Sequence, residues 1–214
     1  MSVLGDRRGQ RRRVRRGRVR VRRGAGILPA LLLALALGAC AGDASMQTFE
    51  LLSPQDFGEV PQARGTLSVA LPTTIRVIDS ERVVIQPTPG EVNYLSGARW
   101  SDRVPRLAQS RIIQAFENSH RIRAVVREGD SLRTDYKLDT EIREFGVLVS
   151  PQKQALVVLS VKLVNARTGR VAAAEVFSAR ADTASVDGAS ATAAISSAFG
   201  TVLIDLVRWT SQRI

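Results

Sequence analysis

The stretch Thr134-Asp135-Tyr136-Lys137-Leu138-Asp139-Thr140-Glu141-Ile142-Arg143-Glu144-Phe145 alternates with a period of two. Tyr136, Leu138, Thr140 and Ile142 point one way, and Asp135, Lys137, Asp139, Glu141 and Arg143 point the other. Side chains of a strand alternate between its faces, so this run is a strand with one buried and one wet face. Acidic residues spaced like this resemble a metal cluster, but the interleaved Lys137 and Arg143 make a solvated, charge-balanced face the better reading.

Working outward, Ala155 to Val164 is apolar on both faces and reads as a central strand. Asn165 to Gly169 is a turn, with Gly169 free to take positive φ, and Arg170 to Arg180 completes a hairpin. From Val186 to Ser211 the pattern is helical. Ile195, Ala198, Phe199, Val202, Leu206 and Trp209 share one stripe, while Ile204 and Val207 fall beside it and are expected on the surface. Upstream, Phe49 to Leu52, Gly65 to Leu71, Arg82 to Gln86, Glu91 to Leu95 and Ile122 to Val126 read as strands, with Leu67, Val69 and Leu71 on one face. Ser101 is placed as the N-cap of a helix reaching Ser119, whose buried stripe is Val104, Ala108, Ile112, Ala115 and Phe116. The order predicts a single α+β domain, a mostly antiparallel sheet with two helices packed on one face. Trp100 and Trp209 are read as core anchors, since each buries a large area; a partner contact is the alternative.

The N-terminus has a different character. Residues 1–39 hold eleven Arg and one acid, Asp6, so +10 of the formal +11 lies there and residues 40–214 carry only +1. The basicity therefore belongs to a targeting segment and gives no ground for a nucleic-acid partner. Ile27 to Leu37 (ILPALLLALAL) follows as an apolar run of eleven residues. A helix of that length spans about 16 Å, too short for a bilayer core of about 30 Å. It is a signal-peptide h-region, and a lipoprotein signal peptide precedes the fold. The Arg arm is longer than an n-region requires. A misassigned start codon accounts for that better than a twin-arginine route, because Arg22-Arg23 lacks the rest of such a motif; an RNA-binding arm is the third and weakest reading.

Leu37-Gly38-Ala39-Cys40 resembles the lipobox of bacterial lipoproteins. The resemblance implies peptidase recognition at Leu37, Gly38 and Ala39, cleavage before Cys40, and acylation of the Cys40 sulfur and new N-terminus, palmitate being a typical chain. Several acyl chains give stable anchoring, at about 0.8 kcal/mol per buried CH₂. Ala41 is not the Asp that marks inner-membrane retention in such proteins, so the implied site is the outer membrane, facing the periplasm. The organisation is a cleaved segment at 1–39, the lipidated cysteine, tether and first short strand at 40–64, and the folded domain at 65–214.

Cys40 is the only cysteine and His120 the only histidine. A disulfide, a His-based metal site and a Ser-His-Asp triad are thus without material, and no cofactor or catalytic residue is expected. His120 follows a helix end, where a cation suits the dipole. No Gly-x-x-x-x-Gly-Lys-Ser/Thr loop is present, so the chain is not itself an ATPase.

Two regions carry a wider resemblance. Tyr94-Leu95-Ser96-Gly97-Ala98-Arg99-Trp100-Ser101-Asp102-Arg103-Val104-Pro105-Arg106-Leu107 runs on to Ala115-Phe116. Thr134 to Leu138, Ile142 to Phe145, the Ala166-Arg167-Thr168-Gly169 turn, Phe177 and the closing helix with Trp209 follow. In order and spacing they resemble the ABC-type transport auxiliary lipoproteins, the PqiC-like family. The resemblance implies a non-enzymatic subunit accompanying an ABC permease, its ATPase and an MCE-domain subunit, in systems that move phospholipids or other hydrophobic molecules between membranes. Related lipoproteins form rings, so a homo-oligomer is implied, with Ile204 and Val207 as candidate interface residues. A lipoprotein activator or scaffold of a peptidoglycan synthase is the competing reading. A periplasmic hydrolase is disfavoured by the residue inventory.

Overall fold

The computed structural model describes residues 45–214. Leu37, Gly38, Ala39 and Cys40 lie outside the described residues. In chain order the elements are β1 (Gln47–Phe49), β2 (Thr66–Val69), β3 (Thr73–Thr74), β4 (Arg82–Gln86), β5 (Asn93–Trp100), α1 (Val104–Ser119), β6 (Ala124–Arg127), β7 (Tyr136–Leu148), β8 (Gln154–Asn165), β9 (Val171–Asp182) and α2 (Gly188–Ser211). They form one α+β domain, as the sequence pattern predicts.

The sheet is organised around β7. On one side it pairs antiparallel with β8, Tyr136 facing Asn165 and Leu148 facing Gln154, and β8 pairs antiparallel with β9. On its other side three short strands lie end to end, all parallel to it. β2 sets Leu67 against Tyr136, β3 sets Thr73 against Glu141, and β4 sets Val84 against Gly146. β5 pairs antiparallel with β4, β1 parallel with β5, and β6 parallel with β2. The sheet is therefore mixed: its long strands are antiparallel, but its short ones join in parallel.

The period-two reading of β7 holds to Ile142, with Leu138, Thr140 and Ile142 buried. Phe145 breaks the parity, yet it too is buried. A register shift against β8 between Ile142 and Glu144 supplies the missing residue, turning Phe145 and Val147 back to the core side. That is the ordinary action of a β-bulge. Two residues after the bulge edge, Gly146 lets β4 approach closely: a Cβ there would stand 2.6 Å from the Val84 carbonyl oxygen.

The alternating inner face of β8 (Ala155, Val157, Leu159, Val161, Leu163) forms the floor of the core. Both helices contribute to the same hydrophobic cluster, α1 through Val104, Ala108, Ile112, Ala115 and Phe116. Trp100 is 1% exposed and stands edge-on to Phe145 at 6.1 Å, which in turn stands edge-on to Phe199 at 5.6 Å. Such pairs contribute about 0.5–1.5 kcal/mol each beyond burial. Phe177 and Trp209 make a third pair at 5.7 Å. Both tryptophans are core anchors.

Three local expectations are corrected. Ser101 does not cap α1. Strand β5 runs on to Trp100, the Ser101 N–H donates to the Phe49 carbonyl, and the helix begins after Arg103 with no side-chain cap and a proline in its first turn. Leu71 is exposed although Leu67 and Val69 are buried, because β2 ends at Val69 and its alternation ends with it. Val207 is 0% exposed, and Ile204 is half-buried against the core. The single stripe was too narrow a description of α2. The helix packs on α1 as well as the sheet, so Leu203 and Val207, the latter about 120° round the helix from Ile195, are also covered.

Helix α2 is long and apolar enough to cross a bilayer by composition, but it packs along the sheet and buries most of one side. Its start is set by Asp187, whose carboxylate accepts from the Ser190 N–H at 3.0 Å and from the Ser190 hydroxyl at 2.8 Å. Hydrogen bonds from the Ser185 hydroxyl first, then from Ser190, hold the Asp187 carboxyl far below its ordinary value of 3.8. A depressed carboxyl stabilises the fold above its unfolded pKa, and that contribution fades as pH falls toward the folded value. Asp187→Ala should therefore lower the thermal midpoint at neutral pH. The gap to the parent should close as the buffer is taken below pH 3.8. Melting curves across that range check both points. Asp187→Asn, which can still cap, should lose most of the pH dependence but less of the stability.

Candidate functional site

The segment after β1 is tied to α1 through Arg111 and Asn118 and faces α2 across a groove. One wall is Phe49, Leu52 and Pro54; the other is the small-residue side of the helix, Ala189, Ala193, Ser197 and Gly200. The groove is open to solvent, with a volume of about 600 Å³ and a mainly apolar lining. Leu52 is 69% exposed at the rim. The wall is shallow because the side chains there are small, and a Cβ on Gly200 would meet nothing within 4 Å.

Thr192, Thr48 and Glu50 at the groove are engaged. Thr192 donates to the Gly188 carbonyl at 2.7 Å. Thr48 accepts from the Arg99 Nε at 3.1 Å. Glu50 accepts from the Arg111 guanidinium at 2.7 Å. Hydrogen bonding from Ser101, followed by Arg111, draws the Glu50 carboxyl below its usual value. Nothing lining the groove pairs a nucleophile with a base. What the groove offers is apolar area.

Ile204 lies on the same open side of α2 as Ala193 and Ser197, one turn beyond Gly200; Val207 is inside the core. The two residues read together from sequence as an interface are thus separated by the fold. His120 closes α1 in the left-handed conformation, φ 51°, its N–H bonded to the Glu117 carbonyl. It is exposed, at the helix end where the sequence placed it. The charged face of β7 pairs internally, Lys137 with Asp139 at 3.1 Å and Glu128 at 3.3 Å, Arg143 with Glu141 at 3.1 Å. Bonds and charge from Asp139, then from Glu128, raise the Lys137 pKa. Among the described residues no group of three His, Cys, Asp or Glu side chains is placed to hold a metal ion. The groove itself was not read from the sequence. Its signal in the sequence is the run of small residues from Gly188 to Ala194, which leaves one side of α2 without bulky side chains.

The described residues form one α+β domain with a mainly apolar groove beside β1 and α2. Residues 49–207 match the family described as the ABC-type transport auxiliary lipoprotein component. The chain belongs to that family, as the resemblance around Tyr94–Phe116 and Thr134–Phe145 implied. The crystal structure of a Xanthomonas campestris protein of the DUF330 family is similar at TM-score 0.73 and 32% identity, over 78% of this chain and 95% of that one. A crystal structure of an uncharacterised protein shares the fold at TM-score 0.62 and 10% identity, over 78% and 99% of the two chains. An uncharacterised protein of Bradyrhizobium diazoefficiens is 29% identical over 167 residues, 76% of this chain and 44% of its own length. The chain thus spans less than half of that relative.

Proposed function

We propose that this chain is exported, trimmed before Cys40, and held by lipid on that cysteine at the outer membrane, facing the periplasm. There it serves as the non-enzymatic auxiliary subunit of an ABC/MCE-type system that moves phospholipids or other hydrophobic molecules between membranes. The observation that carries the reading is the family match over 49–207, joined to a lipobox directly after a short apolar run. The contact with the MCE subunit, or with further copies of the chain, is assigned to the open side of α2 around Ile204, and Val207 has no part in it.

Affinity purification of the tagged full-length chain from its own host's membranes tests the reading. An MCE-domain protein and an ABC permease are expected to co-purify in amounts comparable to the bait. Recovery of a peptidoglycan synthase in their place would transfer the protein to the scaffold reading.

A further inference from the structure

The near-neutral charge of residues 40–214 hides a strong asymmetry. Five chain segments meet at the end of the domain where β7 begins. The Ala63 N–H donates to the Arg121 carbonyl at 2.8 Å, which sets Arg64 beside Arg121. β2 and β6 start together, Thr66 facing Ala124, so Arg123 is adjacent. The Ala166 N–H donates to the Asp135 carbonyl at 2.9 Å, bringing in the turn that carries Arg167 and Arg170. The chain leaves α2 at the same end, where Gly65 stands against Ile214 and Arg213 donates to the Trp209 carbonyl at 2.8 Å. All six arginines are exposed, and none has a carboxylate within 4.0 Å among the described residues.

Four side-chain carboxylates lie in or near these segments, of which Glu128 and Asp139 line one pocket with Ala166, Gly169 and Val171 and are taken by Lys137 at 3.3 Å and 3.1 Å. Asp135 is committed to the Thr66 N–H at 2.9 Å and hydroxyl at 2.8 Å, and its pKa is lowered chiefly by those bonds. Glu117 sits one turn back in α1. The opposite end of the sheet is unlike this. Its loops carry Lys153 against Glu91 and Asp187. Beside Arg170, Val171 is 55% exposed.

We infer that this arginine-rich end is a docking surface for anionic phospholipid headgroups of the membrane that holds the lipid anchor. Arg213 is held by the Trp209 carbonyl and ring, and the other five guanidinium groups have no carboxylate partner among the described residues; like charges gathered in one patch repel, and a surface of phosphates relieves that repulsion with bidentate bonds. Each basic residue held near an anionic bilayer contributes about fivefold in partitioning. An exposed apolar residue among the arginines suits the headgroup boundary. Reach allows it. β1 lies against the first turn of α2, with the Phe49 ring and Ala98 next to Gly188, and the arginines lie at the other end of a helix about 36 Å long. Six residues lie between Cys40 and Gln47, and the seven Cα steps make a tether of at most ~24 Å. A domain tethered at one end of α2 and attracted at the other lies along the bilayer. This orientation rests on the lipid-anchor reading; the attraction does not.

The test uses the full-length processed protein in vesicles of phosphatidylcholine, with or without phosphatidylglycerol. Lipid occupies the Cys40 sulfur, so Ala166→Cys adds the one free thiol for a donor dye, with an acceptor on the headgroups and Val92→Cys as the opposite-end control. Transfer at position 166 should rise with phosphatidylglycerol, fall as salt shortens the screening length from about 30 Å to about 3 Å, and stay flat at position 92. Arg121→Glu, Arg123→Glu, Arg167→Glu and Arg170→Glu together should cut the ratio of membrane-close to detached domains by on the order of several hundredfold, about fivefold for each cation lost. The four Arg→Lys changes should keep most of it. Transfer at 166 that ignores phosphatidylglycerol and charge reversal overturns the inference, and would leave an acidic protein partner as the occupant. If the parent chain takes the dye at Cys40 and fails to float with neutral vesicles, the anchor reading fails instead. Charge-dependent flotation of Cys40→Ala with phosphatidylglycerol vesicles then still decides the headgroup claim.

Discussion

Val207→Lys should unfold the domain or lower its stability by roughly 3 kcal/mol or more, whereas Ile204→Glu should leave it folded. The two positions are three residues apart on one helix, and their sequence environments look alike. Val207 is 0% exposed among core residues, while Ile204 is half-buried on the open side. A buried Val forfeits about 1.5–3 kcal/mol of burial when replaced, and an ammonium with no partner adds a larger desolvation cost unless it sheds its proton. Glu at 204 swings into solvent at the cost of a partial contact. Urea titrations followed by circular dichroism separate the outcomes. Equal, small losses for both variants would mean that α2 does not pack as described. A folded Ile204→Glu protein whose mass in light scattering drops, or which no longer retains an MCE subunit, would support the interface assigned to that side of the helix.

The contrast between these two residues shows what the sequence could and could not disclose. Period-two alternation in Tyr136–Ile142 and the helical stripes of α1 and α2 were legible because each reflects one face against one core. Local pattern does not say how wide the buried arc will be. That depends on whether a second wall stands beside the helix, and α1 supplies one here. The parallel joins of β2, β3 and β4 along β7 were hidden for a similar reason. Strand direction in a sheet is fixed by long connections, not by the composition of short strands such as Thr73–Thr74. The bulge at Ile142–Glu144 is visible in hindsight as a parity break at Phe145. The groove and the arginine-rich end are both assembled from segments far apart in the chain. Averaging over residues 40–214 gives +1 and conceals the second altogether.

Cys40→Ala should abolish lipid attachment completely and leave the precursor uncut. In the reading proposed here both lipid attachment and cleavage are directed by Cys40, so removing its sulfur stops both steps. No other thiol exists in the chain to substitute for it. Metabolic labelling with an alkyne fatty acid, followed by intact mass, reads both effects: the parent should carry label and lack residues 1–39, and the variant should carry neither change. The physical consequence is large. Several acyl chains, at about 0.8 kcal/mol per buried CH₂, hold a protein at a bilayer far more firmly than a surface patch can. The uncut variant keeps its apolar run Ile27–Leu37, about 16 Å as a helix, which does not span a bilayer. It should therefore fractionate with the inner membrane through its export signal, not with the outer membrane. Label on the variant equal to that on the parent would refute acylation at Cys40. An unlabelled parent cut at the same place would point to an ordinary secretory signal and a soluble periplasmic domain, with the groove beside β1 then open to solvent on all sides.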